Sequence, residues 1–296
     1  MRKRTDVLAL NIIGYTVTGL VALICVIPFI LVLSASFSDE KSILRDGFSL
    51  LPREFSLQAY ETVFEKPEVI GRAYAVTIGL TIVGTLLGLF LTSMTAYVLQ
   101  RKDFAWRNHF SFFFYFTTLF SGGLVPYYIL MIRYLKLKDS WLALLLPLLF
   151  NVFNLLIMKS YMNVIPVAFT EAAIIDGCGD FSIYSRIMLP LSKPVLATVG
   201  LFLALAYWND WYNAMLYIND ETKYTLQYFL YERINNIEAY KKIIAQSGGQ
   251  IGSVIELPTQ TLRMALTVVV TGPVVLAYPL AQKYFVQGIT IGAIKG

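Results

Sequence analysis

The chain has 296 residues, of which 57% are hydrophobic and only 15% charged; its formal net charge is +5 and its mean hydropathy +0.62. Soluble domains carry about 25% charged residues, and here the apolar residues come in long runs, so one large soluble core is excluded and a membrane protein is implied. The basic residues form no stripe, which argues against nucleic acid. A single histidine, His109, cannot build a His-based metal site, and without any Gly-Lys pair there is no phosphate loop, so ATP must be bound by another chain if it drives this one.

Crossing hydrocarbon takes about 20 helical residues. Residues 7–38 hold no Asp, Glu, Lys or Arg. That run is longer than the apolar region of a cleaved signal peptide, so it reads as a retained helix over about 12–37. Five further spans follow at about 73–100, 110–132, 141–158, 195–219 and 264–282, giving one all-α, polytopic domain with six transmembrane helices over 1–296. Cys25 in the first span and Cys178 in a polar segment are far apart, and no disulfide is expected. Lys and Arg near the span ends set orientation. With both termini inside, the inner segments carry 11 basic residues and the longer outer ones 13, so the total does not decide; the cluster Arg2, Lys3 and Arg4 favours an inside N-terminus.

In the second span Gly84 and Gly88 form a small-xxx-small step, suited either to packing within the subunit or to a wall against a sister subunit. In the third, Ser121-Gly122-Gly123-Leu124-Val125-Pro126 should break or kink the helix, as a packing kink or as a cavity lining. The polar segment 159–194 reads as a short helix, a glycine turn and a second helix. Thr170 is its candidate N-cap, Glu171 lies in the first turn, Ala172 and Ala173 give a smooth surface, and Gly177 after Asp176 supplies a left-handed cap. A second helix over 181–188 is expected to stop at Leu189-Pro190. The acids Glu171, Asp176 and Asp180 have neither a partner base nor a metal-ligand set, so no catalytic residues and no metal site are expected, and the segment suits docking better than catalysis.

Asp210 is the one acid inside the six spans, among Tyr207, Trp208, Asn209, Trp211, Tyr212 and Asn213. An intramembrane acid faces an interior, a partner or water. The aromatics suit either sugar stacking or an interfacial belt. The outer segment 220–263, with Ser247-Gly248-Gly249-Gln250 near its middle, reads as a long loop, either mobile or inserted into a partner.

The run Glu171-Ala172-Ala173, Asp176-Gly177 and Ile187-Met188-Leu189-Pro190 resembles the EAA motif of ABC importer membrane subunits. Trp208-Asn209-Asp210-Trp211 resembles the signature of maltose-type carbohydrate permeases, and 120–126 with 282–288 resembles their LplC/YtcP-like branch. Cys178 stands where that pattern more often has alanine.

The resemblance implies the type I importer permease fold in a bacterial cell membrane, with both termini cytoplasmic. It implies a cytoplasmic coupling loop over 159–194, with Glu171, Ala172, Ala173, Asp176, Gly177, Leu189 and Pro190 docking on an ATPase. It further implies a substrate path past Gly122, Gly123, Tyr207, Trp208, Asn209, Asp210, Trp211 and Asn213. The partners implied are a second permease subunit of a different chain, an ATPase dimer that binds ATP and Mg, an extracytoplasmic sugar-binding protein and an oligosaccharide or polysaccharide fragment. No cofactor is expected on this chain. The C-terminal tail 288–296 reads either as a frayed end or as a segment reaching the ATPases. A stand-alone secondary transporter would need internal repeats and paired intramembrane charges, and a membrane enzyme would need clustered catalytic groups; the sequence offers neither.

Overall fold

A computed structural model describes residues 2–246 and 259–275, and these are helical apart from turns and one isolated bridge between Ser38 and Phe55. The helices are α1 (Arg2–Ser36), α2 (Glu40–Asp46), α3 (Gln58–Val63), α4 (Pro67–Gln100), α5 (Arg107–Leu119), α6 (Leu124–Tyr134) and α7 (Trp141–Leu148). They continue as α8 (Val152–Met162), α9 (Ala168–Ile175), α10 (Asp180–Leu191), α11 (Lys193–Trp208), α12 (Tyr212–Tyr217), α13 (Leu226–Gln246) and α14 (259–275). Among the described residues two compact units are present, one of residues 2–67, 232–246 and 259–273, the other of 68–231 with 274–275.

In the first unit α1 is apolar on all sides, and none of its most hydrophobic window is buried by protein, as suits a helix bathed in hydrocarbon. Its end is shaped by small polar groups. The Ser36 hydroxyl bonds the Leu33 carbonyl and Tyr60, and Phe37 stacks between Phe55 and Tyr60. Asp39 caps α2 through the amides of Lys41 and Ser42, and Gly47 closes it at φ +78°. The Glu40 carboxylate then accepts the amides of Gln260 and Thr261 and the hydroxyls of Thr259 and Thr261, capping the start of α14 from more than two hundred residues away.

In the second unit α4 is the spine. Val76, Leu80, Gly84, Gly88, Thr92 and Ala96 recur at intervals of four and are all buried. A Cβ on Gly84 would lie 2.2 Å from the Tyr207 ring, and one on Gly88 would lie 3.0 Å from both the Leu149 carbonyl and Leu203. The small-residue step therefore serves packing within the subunit. Around the C-terminal half of α4 gather Leu155, Met158, Ala173, Ile183, Tyr184, Met188 and Val199 from α8, α9, α10 and α11.

Only two described helices are long and apolar enough to cross a membrane unbroken, and three bent pairs bring the number of candidate spans to at most five. The expected span 110–132 is broken at 120–123 and turns by 113°; Gly123 takes φ +84°, which only glycine adopts without strain. Span 141–158 breaks at 149–151 with a 47° turn and runs on to Met162. Span 195–219 breaks at 209–211. The second span starts earlier, at Pro67, and α14 is already helical at 259, before the expected 264; the expected residues 276–282 and the tail 288–296 lie outside the described residues. The outer segment 220–263 is largely helical rather than a loop, since α13 fills 226–246; 247–258, with Ser247-Gly248-Gly249-Gln250, lies outside the described residues.

Between α6 and α7 the chain is pinned to the turn after α12. The Asp139 carboxylate accepts the amides of Asn219 (2.5 Å) and Asp220 (3.0 Å), and Lys223 donates to the Asp139 carbonyl. Those amides hold Asp139 below the usual carboxylate range. Hydrogen bonds from the Thr222 hydroxyl and amide, helped by Lys223, hold Asp220 at about 2.

Candidate coupling segment and translocation cavity

Two assemblies in the second unit carry the candidate chemistry. The first is 159–194. Its first helix, α9, begins at Ala168, so Thr170 lies inside the helix rather than capping it, and Val167 takes the cap position without a side-chain bond. Glu171 sits in the first turn, where negative charge is favoured. The end of α9 is a Schellman turn: Cys178 N–H donates to the Ala173 carbonyl (2.9 Å), Gly177 N–H donates to Ile174 (3.0 Å), and Gly177 takes φ +78°.

The two alanines do not share a face. Ala173 is 5% exposed within the core, whereas Ala172 is exposed. Bulky apolar groups stand out instead: Ile175 at 84%, with Ile174, Phe169, Val167 and Phe181. This apolar patch is not legible in the sequence, because neither the small-residue pattern nor the charge pattern points to it. Leu189-Pro190 does not end α10. A wider turn over Tyr184–Met188, in which Leu189 N–H reaches the Tyr184 carbonyl, carries the helix through the proline to Leu191. The chain then turns by 84° at buried Ser192.

The second assembly lies where α7–α8 and α11 are broken. Pro147 lies within a tight turn over Leu146–Leu148, after which Asn151 starts α8 by accepting the amides of Phe153 (2.9 Å) and Asn154 (3.3 Å). A cavity of about 290 Å³ opens beside this break, lined by Phe150, Asn151, Phe153, Asn154, Phe202 and Leu203 among others. Asn154 is 5% exposed, and its side-chain amide has no hydrogen-bond partner among the described residues. A buried amide normally has one.

Tyr207, expected along the path, points into the protein. It is 2% exposed, its ring lies on Gly84, and its hydroxyl donates to the Leu145 carbonyl at 2.8 Å, a group next to the α7 break. The Trp208 indole N–H is buried without a partner among the described residues. Asp210 sits in the break after α11. It accepts the Asn213 amide and side chain, each at 3.1 Å, and its carbonyl accepts the Thr225 hydroxyl at 2.8 Å. Asn209 is exposed and lies 3.5 Å from Gln227.

Trp211 stacks on Tyr231 with centroids 4.6 Å apart, and Tyr228 continues the row toward Tyr224. Asn209, Trp211, Gln227 and Tyr231 thus set flat aromatic faces beside amides. Gly122 and Gly123 lie in the exposed break 120–123, and no described contact joins them to this group. Sequence reasoning missed Phe150, Phe153, Asn154, Phe202, Tyr228 and Tyr231. The pair Asn151 and Asn154, three apart in an apolar run just after Pro147, was the available signal.

Comparison with known proteins gives a consistent set of matches. The family described as binding-protein-dependent transport system inner membrane component matches residues 84–291. The polygalacturonan/rhamnogalacturonan transport system permease protein YtcP of Bacillus subtilis (strain 168) is 41% identical over 281 residues, covering 93% of this chain and 94% of that protein. Protein LplC of the same strain is 38% identical, with 94% and 92% covered. Among solved structures, a bacterial ABC transporter involved in the import of the acidic polysaccharide alginate matches with a TM-score of 0.80 at 30% identity, over 94% of this chain and 96% of that one.

Proposed function

The chain belongs to the family of binding-protein-dependent transport system inner membrane components, and from that membership we propose that it imports oligosaccharide fragments of acidic plant-type or related polysaccharides. As a multi-pass permease it does not hydrolyse ATP; the family implies an ATPase, a binding protein and a partner permease. The acidic substrate class rests on the names of its relatives, which transport polygalacturonan, rhamnogalacturonan and alginate.

In this reading the second permease is a different chain, six spans cross the cytoplasmic membrane, and both termini are inside. Segment 159–194 is the cytoplasmic coupling element. Glu171, Ala172, Asp176 and Gly177 shape it, Ala173 and Leu189 seat it on the core, and Pro190 lies exposed within α10. The exposed Ile174, Ile175 and Phe169 supply the apolar knob that enters a cleft on the ATPase, since burying each such side chain contributes about 1.5–3 kcal/mol. The substrate path runs past the cavity at Asn154, Phe150 and Phe153 and past Asn209, Trp211 and Tyr231. Tyr207, Trp208, Asp210 and Asn213 hold its wall, and Gly122 and Gly123 form a separate break along it.

The carrying observation is the Schellman-closed helix α9 with its exposed apolar face, in a chain of this family. The test uses the transporter reconstituted with its ATPase, partner permease and binding protein, offered galacturonate oligomers. Gly177→Val puts a β-branched residue at positive φ, at a cost of about 1–2 kcal/mol. It should leave the permease in the membrane, weaken ATPase retention and lower uptake at least ten-fold, by the order of magnitude such a cost implies. Normal uptake by this variant, or wild-type transport without any ATPase, would refute the reading.

A further inference from the structure

The coupling segment has two arms, and they are attached differently. α9 places one fully buried residue, Ala173, in the core. α10 is fastened to the inner end of α4 by a ladder of polar contacts. Ser93 and Tyr97 on one face of α4, and Arg101 just past its end, follow four residues apart and face Asp180 and Tyr184, also four apart. The hydroxyls of Ser93 and Tyr184 meet at 2.8 Å, both residues being buried. The Tyr97 and Tyr184 rings pack at 5.5 Å, and the Tyr97 hydroxyl reaches the Asp180 carbonyl at 3.5 Å.

Arg101 ends the ladder. Its guanidinium lies between the carboxylates of Asp180 and Asp103, with Nε donating to Asp103 at 2.9 Å and Nη1 to the Tyr97 hydroxyl at 3.3 Å. The Arg101 side chain is only 16% exposed, although both acids are largely in solvent. A guanidinium fork held by several acceptors is geometrically fixed in a way a single surface pair is not. The hydrogen bond to Arg101 holds Asp103 below the usual carboxylate range.

Just over one turn before Ser93, Gly88 of α4 lies against Leu203, which lines the cavity, and against the Leu149 carbonyl, between the lining residues Leu148 and Phe150. Movement of α10 therefore has one rigid neighbour to push, and that neighbour borders the cavity.

We propose that Arg101 is a positioning residue of the transport cycle: by pairing with Asp180 it locks the second arm of the coupling segment to α4, so that displacement of that segment moves the cavity wall. The proposal rests on reading 159–194 as the coupling element. Without the lock, α10 slides on α4 and ATP is spent without moving substrate.

The test compares ATP hydrolysis with uptake of galacturonate oligomers in the complete reconstituted transporter. Asp180→Asn and Arg101→Gln should each leave the assembled complex and its hydrolysis in place while lowering sugar moved per ATP about five-fold, within the range seen for coupling mutations. The exchanged pair Arg101→Asp with Asp180→Arg should recover at least half of that ratio. Asp103→Asn, which frees only the acid outside the coupling segment, should stay within two-fold of wild type.

Asp180 is exposed, so its Asn variant keeps the fold and the test stands even if an Arg101 variant does not assemble. Equal losses of hydrolysis and uptake in Asp180→Asn, or an assembled exchange pair with no recovery, would overturn the proposal. If Gly177→Val uncouples the transporter while Asp180→Asn does not, the lock fails and the coupling reading survives. If neither variant alters the ratio, the coupling reading itself fails.

Discussion

The breaks at 149–151 and 209–211 use the same device and end with opposite balances. Each replaces helix with an Asn or Asp whose side chain caps the next helix in the chain. At 209–211 the acid is engaged: Asp210 holds Asn213 twice over, and its carbonyl takes Thr225. At 149–151 the cap is made by Asn151, and Asn154, one turn on, is left over with a cavity beside it. Backbone freed inside a membrane protein must be satisfied or must face a cavity. At 209–211 the acid is held within the chain, whereas at 149–151 the Asn154 side chain lines a cavity. The acid that stands out in the sequence is the more committed group, and the ordinary-looking amide is the available one.

The contrast can be broken most severely through Tyr207, which serves both sites. Gly84→Ala places a methyl where the Tyr207 ring lies, and should destabilise the permease by about 1–3 kcal/mol as an overpacked core. Its melting temperature in detergent should fall, and adding Tyr207→Leu should recover part of the loss; a Gly84→Ala protein as stable as wild type would contradict the packing. Next comes Asn154→Leu. Removing this amide from the proposed path should lower uptake of galacturonate oligomers by about ten-fold, within the cost of a lost hydrogen-bonding partner. Its melting temperature should hold or rise, because the unpaired polar group is gone.

Asp210→Ala should behave in the opposite sense. Losing the cap should cost about 1 kcal/mol of stability, and uptake per assembled complex should stay near wild type. Asp210→Asn, an equally good cap, should restore the melting temperature. A selective loss of uptake at unchanged stability would reverse the assignment of the two breaks.

The smallest effect is expected at the turn after α12, away from both breaks. Asp220 is held at about 2 by Thr222 and Lys223, below an unfolded value near 3.9. Its contribution is therefore present above pH ~4 and lost as pH falls through about 2. The melting-temperature gap between wild type and Asp220→Asn should be constant from neutral pH down to pH ~4 and close below it.

Much of this was legible from residues alone. Charge-free runs mark α1 and α4, because hydrocarbon tolerates nothing else over that length. The Glu171-Ala172-Ala173 and Asp176-Gly177 pattern located α9 and its left-handed cap. The positions of most helix breaks were not legible. In a chain whose core and lipid face are both apolar, periodicity does not separate a straight helix from a broken one. The Leu145 carbonyl, just before the tight turn that leads to the break at 149–151, takes the hydroxyl of Tyr207, sixty-two residues away. The exposed side of α9 was misread for a related reason: Ala172 and Ala173 look alike in sequence, and only the packing of Tyr184 and Ile183 decides which of them is inside.

The carboxylate of Glu40 at the head of α14 also bears on how the protein is made. The acid is synthesised more than two hundred residues before the amides it caps. During chain growth it waits, hydrated, just past the end of the first helix, and it gains its donors only once residues 259–261 have emerged. The short helix that follows the first one thus carries the receptor for a far later one, and a ribosome that stops short of residue 259 leaves a permease whose opening charge was never answered.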